Sequence, residues 1–104
     1  MNRESFLASL TAKPVPFEAG GLSCFLKPLT SGDLLDAQRW AKGRDDKSDG
    51  YKFFLVRSVC DEAGQRLLTD DDIEQVGNFL GGFVNTAMDR IFEISGMGGD
   101  EKKS

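Results

Sequence analysis

The chain has 104 residues, of which 39% are hydrophobic and 29% charged, a composition typical of one small globular domain with a modest core. The formal net charge of -4 disfavours nucleic acid or an anionic membrane as the main partner, because both attract clustered Lys and Arg. The sequence contains no histidine, so we expect no Ser-His-Asp or Cys-His catalysis, no cofactor and no structural metal. No apolar run approaches the length of a membrane span, which predicts a soluble cytoplasmic protein.

The first quarter of the chain predicts a short helix followed by a β-hairpin. Asn2 is a favoured N-cap residue type, and Phe6, Leu7 and Leu10 recur at helical spacing, so we expect a helix over 3–10 with Phe6 in the core. Prolines at positions 14 and 16 exclude helix beyond it. Apolar and polar residues then alternate on both sides of a Gly-Gly pair at positions 20 and 21, which predicts a hairpin.

Two further helices are predicted in the middle of the chain. Thr30 with Asp33 three residues later has the spacing of a capping box, which predicts a helix over 30–42 that Gly43 ends. The loop 43–50 contains charged and small polar residues before Tyr51, and we expect it to be solvated. The nearly continuous apolar run over 51–60 predicts a central helix.

An acidic turn and a capped helix follow. Asp61 and Gly64 favour a turn, because a short carboxylate bonds nearby backbone and glycine adopts positive φ at little cost. Thr69 with Asp72 predicts a second, shortened capping box and a helix over 70–76, which the Gly-Asn pair at 77 and 78 ends. The consecutive aspartates at 70–72 suit the positive end of the helix dipole better than acid–base chemistry, since consecutive helical residues point in different directions.

The last predicted helix has the clearest amphipathic pattern. Its apolar residues recur at spacings of one, three and four: Phe83, Val84, Ala87, Met88, Ile91 and Phe92. The Gly-Gly pair at 81 and 82 predicts a tight connection before it, and Gly96 predicts its C-cap. The sequence therefore predicts an α+β fold: a mainly α-helical single domain over 1–96, with about five helices, one short β-hairpin near the N-terminus, and a flexible C-terminal tail over 97–104.

Candidate partner-binding residues are aromatic or apolar side chains that a small core does not obviously need. The chain has eight phenylalanines, and most of them fit core positions. The remaining candidates for contact with a partner helix or a sister subunit are Phe25, Trp40, Phe79, Leu80 and Phe83. The two cysteines at 24 and 60 match no metal or redox spacing, and we expect both to be small buried apolar residues.

The run over 59–74 resembles the phage tail assembly chaperones of long-tailed, siphovirus-type bacteriophages and prophages, in which the pattern D-E-x-G-x-R-L-x-T-D-x-D-I-E is typical. The segments 1–7, 29–33 and 91–97 are similar to that family's opening helix, its threonine-led helix start and its closing helix with a glycine stop. The resemblance implies a non-enzymatic chaperone that binds and coats the tape measure protein in the host bacterial cytoplasm. It also implies self-association and contact with other tail assembly proteins.

In many members of this family, ribosomes slip near the end of the short reading frame and make a longer chaperone. The lysine pair in residues 101–104 is encoded by A-rich codons, which agrees with such a frameshifted form. The alternative to a tail chaperone is a small cytoplasmic regulatory adaptor or antitoxin-like protein that binds one folded partner. An enzyme subunit is a more distant third interpretation.

Overall fold

A computed structural model of the chain describes residues 2–44 and 50–97. In chain order they form α1 (Arg3–Leu10), β1 (Val15–Ala19), β2 (Leu22–Leu26), α2 (Ser31–Ala41), α3 (Gly50–Ser58), β3 (Val59–Cys60), a 3₁₀ helix (Asp70–Asn78) and α4 (Gly81–Ile94). The predicted α+β class, with about five helices, is confirmed. Positions 45–49 of the predicted charged loop and 98–104 of the predicted tail lie outside the described residues.

The predicted hairpin is present and forms two strands of a three-stranded antiparallel sheet with the order β1-β2-β3. Gly20 and Gly21 have φ of 59° and 78°, and positive φ at both central residues is what a type I′ hairpin turn requires. Ala19 pairs with Leu22 directly beside the turn, so the turn sets the register of the whole hairpin.

The predicted helix over 51–60 is wrong in its last two residues. The helix α3 ends at Ser58, and β3 pairs Val59 with Leu26 and Cys60 with Phe25. The buried Ser58 hydroxyl donates to the Lys27 carbonyl oxygen at 2.7 Å, and the Lys27 N–H donates to the Ser58 carbonyl oxygen at 2.9 Å. A continuous apolar run has the same pattern in a buried helix and a buried strand, so the sequence could not locate this transition.

The predicted helix over 70–76 is a 3₁₀ helix that continues through the Gly-Asn pair to Asn78. With three residues per turn, positions three apart lie above one another, and Asp70, Ile73, Val76 and Phe79 form such a series. Ile73 and Val76 are buried, and Phe79 packs against the core. The apolar residues recur every three positions, which favours this tighter helix over an α-helix.

Both predicted capping boxes form hydrogen bonds. The Thr30 N–H donates to Asp33 Oδ2 at 3.0 Å, and the Asp33 N–H donates to Thr30 Oγ1 at 3.1 Å, which completes the capping box of α2. At the 3₁₀ helix, the Thr69 N–H donates to Asp72 Oδ2 at 2.8 Å. The predicted helix starts at these two places are therefore confirmed.

The helix α4 begins at Gly81, so the Gly-Gly pair forms its first turn and the predicted connection at 81 and 82 is wrong. Neither glycine has positive φ, and residues 79 and 80 already make the connection. At the other end Gly96 has φ of 74°, its N–H donates to the Glu93 carbonyl oxygen, and the Met97 N–H donates to the Phe92 carbonyl oxygen. These two bonds form a Schellman motif and confirm the predicted C-cap.

The core lies between the sheet, α3, the 3₁₀ helix and α4, and α2 packs against it with partly buried residues. Its most completely buried apolar side chains include Leu26, Leu55, Val56, Val76 and Ile91. The helix α1 contributes no buried residue, and the prediction that Phe6 is a core residue is wrong, because 51% of Phe6 is exposed. The helix α1 forms over the predicted residues, but all of them are exposed, the apolar ones included.

A cluster of charged residues joins three helices. The Arg57 side chain on α3, which is 18% exposed, contacts Asp33 at 3.3 Å and Asp36 at 2.9 Å on α2, and Asp70 at 3.2 Å on the 3₁₀ helix. The guanidinium also lies 4.6 Å from the Phe53 ring centroid. One cation thus neutralises acids from two other helices while it covers the edge of the core.

Two pKa values are displaced in this cluster. Burial by itself would lower the pKa of Arg57, but hydrogen bonds to Asp70 and Asp36 outweigh burial and the pKa is raised. The hydrogen bond from Arg66, at 2.9 Å, is the main reason that the pKa of Asp70 is lowered, with Arg57 adding to it against partial burial. Both shifts favour the ionised pairs.

We predict that the substitution Ile91→Ala lowers the free energy of unfolding by roughly 2 to 5 kcal/mol, because the side chain is 0% exposed and its removal leaves a cavity. Leu35→Ala is the matched control at a site that is 48% exposed, and we expect a change of about 0.5 kcal/mol or less. Urea unfolding followed by circular dichroism measures both. Equal small losses for the two variants would contradict the placement of α4 in the core.

We predict that Asp70→Asn destabilises the protein by about 1 kcal/mol near neutral pH, because the lost ion pairs are partly screened by solvent. A lowered folded-state pKa gives stability that is present above the unfolded pKa of about 3.9 and is lost as the pH falls through the folded value. The stability difference between parent and variant should therefore shrink in acid.

Denaturant unfolding from neutral to acidic pH measures that difference. Asp71→Asn is the control, since it removes the next charge along the chain and leaves both arginine contacts of Asp70 in place. A parent-to-variant difference for Asp70→Asn that stays constant into strong acid would show that the carboxylate does not act through its ionised form.

Candidate partner-binding surfaces

Trp40, one of the predicted partner-binding residues, belongs to the edge of the core. The Trp40 ring centroid lies 5.6 Å from the ring centroid of Phe53. The guanidinium carbon of Arg44 lies 4.1 Å from the Trp40 ring centroid. The indole is half-buried between the Phe53 ring and the Arg44 guanidinium, and both contacts stabilise this position of the side chain. The sequence left the role of Trp40 open, and these contacts are those of a residue that covers the core.

Three predicted residues come together at the start of α4, and we call this group the α4 patch: Phe79, Leu80 and Phe83. Leu80 is 63% exposed, whereas Phe79 and Phe83 are half-buried and pack against the core. The Phe83 ring contacts Phe17 of β1 edge to face, with 5.7 Å between centroids. The α4 patch is thus an exposed leucine set between two aromatic side chains that the core holds in place.

Phe25 lies on the opposite side of the sheet from the core. Strand residues alternate between faces, and Leu26 is in the core, so Phe25 shares the outer face with its partners Pro16 and Cys60. A pocket of about 520 Å³ opens on this face. Phe25, Pro16 and Leu67 give it an apolar lining, and we call it the sheet pocket.

The sheet pocket has an acidic rim that comes from the hairpin and from the turn after β3. Glu18, Asp61 and Glu62 line it. One carboxylate oxygen of Asp61 accepts from the Ala63 and Gln65 N–H groups, each at 2.9 Å, and Gly64 has φ of 87°. The predicted acidic turn is therefore confirmed, and hydrogen bonds hold it in one conformation. That this turn borders a pocket depends on β3, which the sequence did not predict.

The helix α1 carries a third exposed apolar surface, which we call the α1 stripe: Phe6, Leu7 and Leu10. Their exposed fractions are 51%, 43% and 66%. The sequence placed Phe6 in the core and Leu7 and Leu10 on the same helix face, so none of the three was among the predicted partner-binding residues. The pair of prolines at 14 and 16 is the sequence signal that could have identified them. These prolines stiffen the connection between α1 and β1 and so restrict how α1 can pack against the rest of the domain.

Within 2–44 and 50–97, no group of three His, Cys, Asp or Glu residues is placed to hold a metal ion. Burial raises the pKa of the Cys24 thiol, with a smaller contribution from Cys60, and burial also raises the pKa of Cys60. Both cysteines are free, and a raised pKa keeps them as weakly nucleophilic thiols. As predicted, Cys60 is buried, whereas Cys24 is half-buried.

In the part of the chain that the structure describes, none of the helices has both the length and the apolar character needed to cross a bilayer. Three small exposed apolar surfaces are the α4 patch, the sheet pocket and the α1 stripe, and Leu22, Leu35 and Tyr51 are exposed elsewhere among the described residues. Surfaces of this kind suit contacts with other proteins.

Comparison with other proteins gives no relative on which to base a function. No protein-family model matches the chain, and no curated protein or solved structure is significantly similar to it. The function must therefore be argued from the three exposed apolar surfaces and from the sequence motifs.

Proposed function

We propose that this protein is a phage tail assembly chaperone that binds and coats the tape measure protein in the host bacterial cytoplasm. It acts by covering apolar surface and not by catalysis. The proposal rests on the resemblance of the run over 59–74 and on one structural observation, the exposed α4 patch. Other tail assembly proteins, including a frameshifted longer form of this chain, are the further partners that the resemblance implies.

The α4 patch is suited to contact with one side of an amphipathic helix. Leu80 has 63% of its area exposed, and burying this apolar area in a complex would contribute favourable hydrophobic free energy to binding. Phe79 and Phe83 are anchored in the core, so binding needs little reordering of the aromatic side chains. A tape measure protein is a long, largely helical client whose apolar stripe offers many such contacts.

The charge of the chain supports a coat of many copies. A net charge of -4 on each copy opposes uncontrolled clustering of the free protein. The same charge attracts basic side chains on the client and increases the rate of encounter more than the final affinity. Coating therefore requires both a local apolar contact, which the α4 patch supplies, and an acidic body.

We predict that co-expression with helical fragments of the tape measure protein keeps those fragments in solution and gives complexes with several copies of this chain on each fragment. The probe is the product of the long, coiled-coil-rich reading frame expected directly downstream of this gene. Light scattering after size-exclusion chromatography measures the copy number as a function of fragment length. A copy number that stays at one on ever longer fragments would instead support the adaptor.

Leu80→Ser tests the α4 patch in the same assay. Serine is a favoured N-cap residue, and Leu80 occupies the N-cap position of α4, so the fold should be retained while the apolar contact is lost. Leu35→Ser is the control, because it removes an exposed leucine of similar size from α2. We expect weaker binding of the fragment for Leu80→Ser only. Equal binding by both variants would exclude the α4 patch as the client site.

A further inference from the structure

The sheet pocket is a concave apolar surface on the side of the sheet away from the core. Its volume of about 520 Å³ lies within the range of roughly 300 to 1,000 Å³ that ligand pockets occupy. Phe25 and Pro16 come from the hairpin, and Leu67, which is 55% exposed, comes from the segment after the acidic turn. A space of this size accepts a large side chain, whereas a whole helix is about 10 to 12 Å wide.

Acidic residues stand on two opposite sides of this pocket. Glu18 belongs to β1 and Glu62 to the turn after β3, and β2 lies between these two strands. Because neighbouring strands lie about 4.8 Å apart, the two sides are separated by roughly 10 Å. One carboxylate oxygen of Asp61 is used within the turn. Glu18 and Glu62 are exposed, and neither forms an ion pair within residues 2–44 and 50–97.

Basic residues near the pocket leave this negative charge in place. None of the described residues that line the pocket is Lys or Arg. The Arg66 side chain donates to the Val56 carbonyl oxygen at 3.2 Å and to Asp70 at 2.9 Å, so its charge is already paired. The charge of Lys27 acts on Cys60, where it opposes the effect of burial on the pKa of the thiol. With three acids in its lining and Lys27 beside it, the pocket attracts cationic groups.

We propose that the sheet pocket binds an extended segment of a partner protein in which one large apolar side chain has an arginine or lysine two positions away on each side. The apolar side chain enters the pocket against Phe25 and Leu67, and the two cations reach Glu18 and Glu62. In an extended segment, residues two positions apart share a face, and residues four apart are about 13 Å apart. Long cationic side chains on that spacing can reach carboxylates on both sides of the pocket.

This site recognises a different chemistry from the α4 patch. The α4 patch offers an apolar contact to one side of a helix, whereas the sheet pocket requires an apolar side chain between two cations. Binding at the sheet pocket does not depend on the tape measure protein, and a segment can occupy it while Leu80 contacts a client.

A nuclear magnetic resonance titration of the isotopically labelled chain with short capped peptides tests this site. The first peptide carries a phenylalanine with an arginine two positions to either side. In the second peptide glutamates replace the arginines, and in the third a serine replaces the phenylalanine. The first peptide should shift the amide signals of Phe25, Cys60 and Leu67, and it should bind roughly threefold more tightly, or better, than either comparison peptide. Added salt should weaken it, since exposed charges are screened.

Variants of the rim separate the pocket from the net charge of the chain. Glu18→Gln with Glu62→Gln removes both exposed carboxylates and should weaken the first peptide by roughly threefold or more. Glu4→Gln with Asp71→Asn is the matched control, because it makes the same change in net charge at exposed residues outside the pocket lining. The control should bind the first peptide as the parent does. The same spectra show that each variant is folded.

Equal binding of the three peptides by the parent would overturn the proposal, because neither the apolar side chain nor the cations would then be recognised. So would the absence of shifts at the sheet pocket, or equal weakening by the rim variant and its control. None of these results bears on client binding at the α4 patch, which is measured with tape measure fragments and with Leu80→Ser.

Discussion

The junction between α3 and β3 holds the two halves of this fold together. At Ser58 the chain leaves the helix, and its buried hydroxyl bonds the Lys27 carbonyl while its own carbonyl accepts from Lys27. From the next residue the chain forms the third strand of the sheet. One apolar run thus fills the helical layer with Leu55 and Val56 and then joins the sheet through Val59. Any change that extends the helix past Ser58 would detach the sheet from its third strand.

This junction also explains which apolar residues remain available for partners. Because α3 is central, the aromatic side chains near it are taken up in contacts among themselves, as in the Phe53–Phe54 and Phe54–Phe92 pairs. The new strand places the acidic turn beside the hairpin and so completes the rim of the sheet pocket. The exposed apolar residues of the described chain include the α1 stripe, Leu67 of the pocket and Leu80, and also Leu22, Leu35 and Tyr51. A small body with exposed apolar surfaces at its margins is suited to binding several neighbours at once.

The candidate surfaces were predictable in part. Leu80 could be selected from the sequence because it lies between two helices, where a large apolar residue has few neighbours to pack against. The contact of Trp40 with Phe53 was not predictable, since it joins two different helices, whereas Arg44 lies only four residues along the chain. The α1 stripe was missed because amphipathic periodicity shows that a helix has an apolar side and does not show what covers that side.

The sequence by itself determined the local structure: the hairpin with its glycine turn, the capped starts at Thr30 and Thr69, the acidic turn at Asp61 and the glycine stop at Gly96. Each depends on hydrogen bonds or backbone angles within a few residues, so it can be recognised without knowledge of the tertiary contacts. Tertiary structure alone decided the strand at 59–60 and the exposure of α1. Those outcomes depend on which distant surfaces are available for pairing and burial, and no local pattern contains that information.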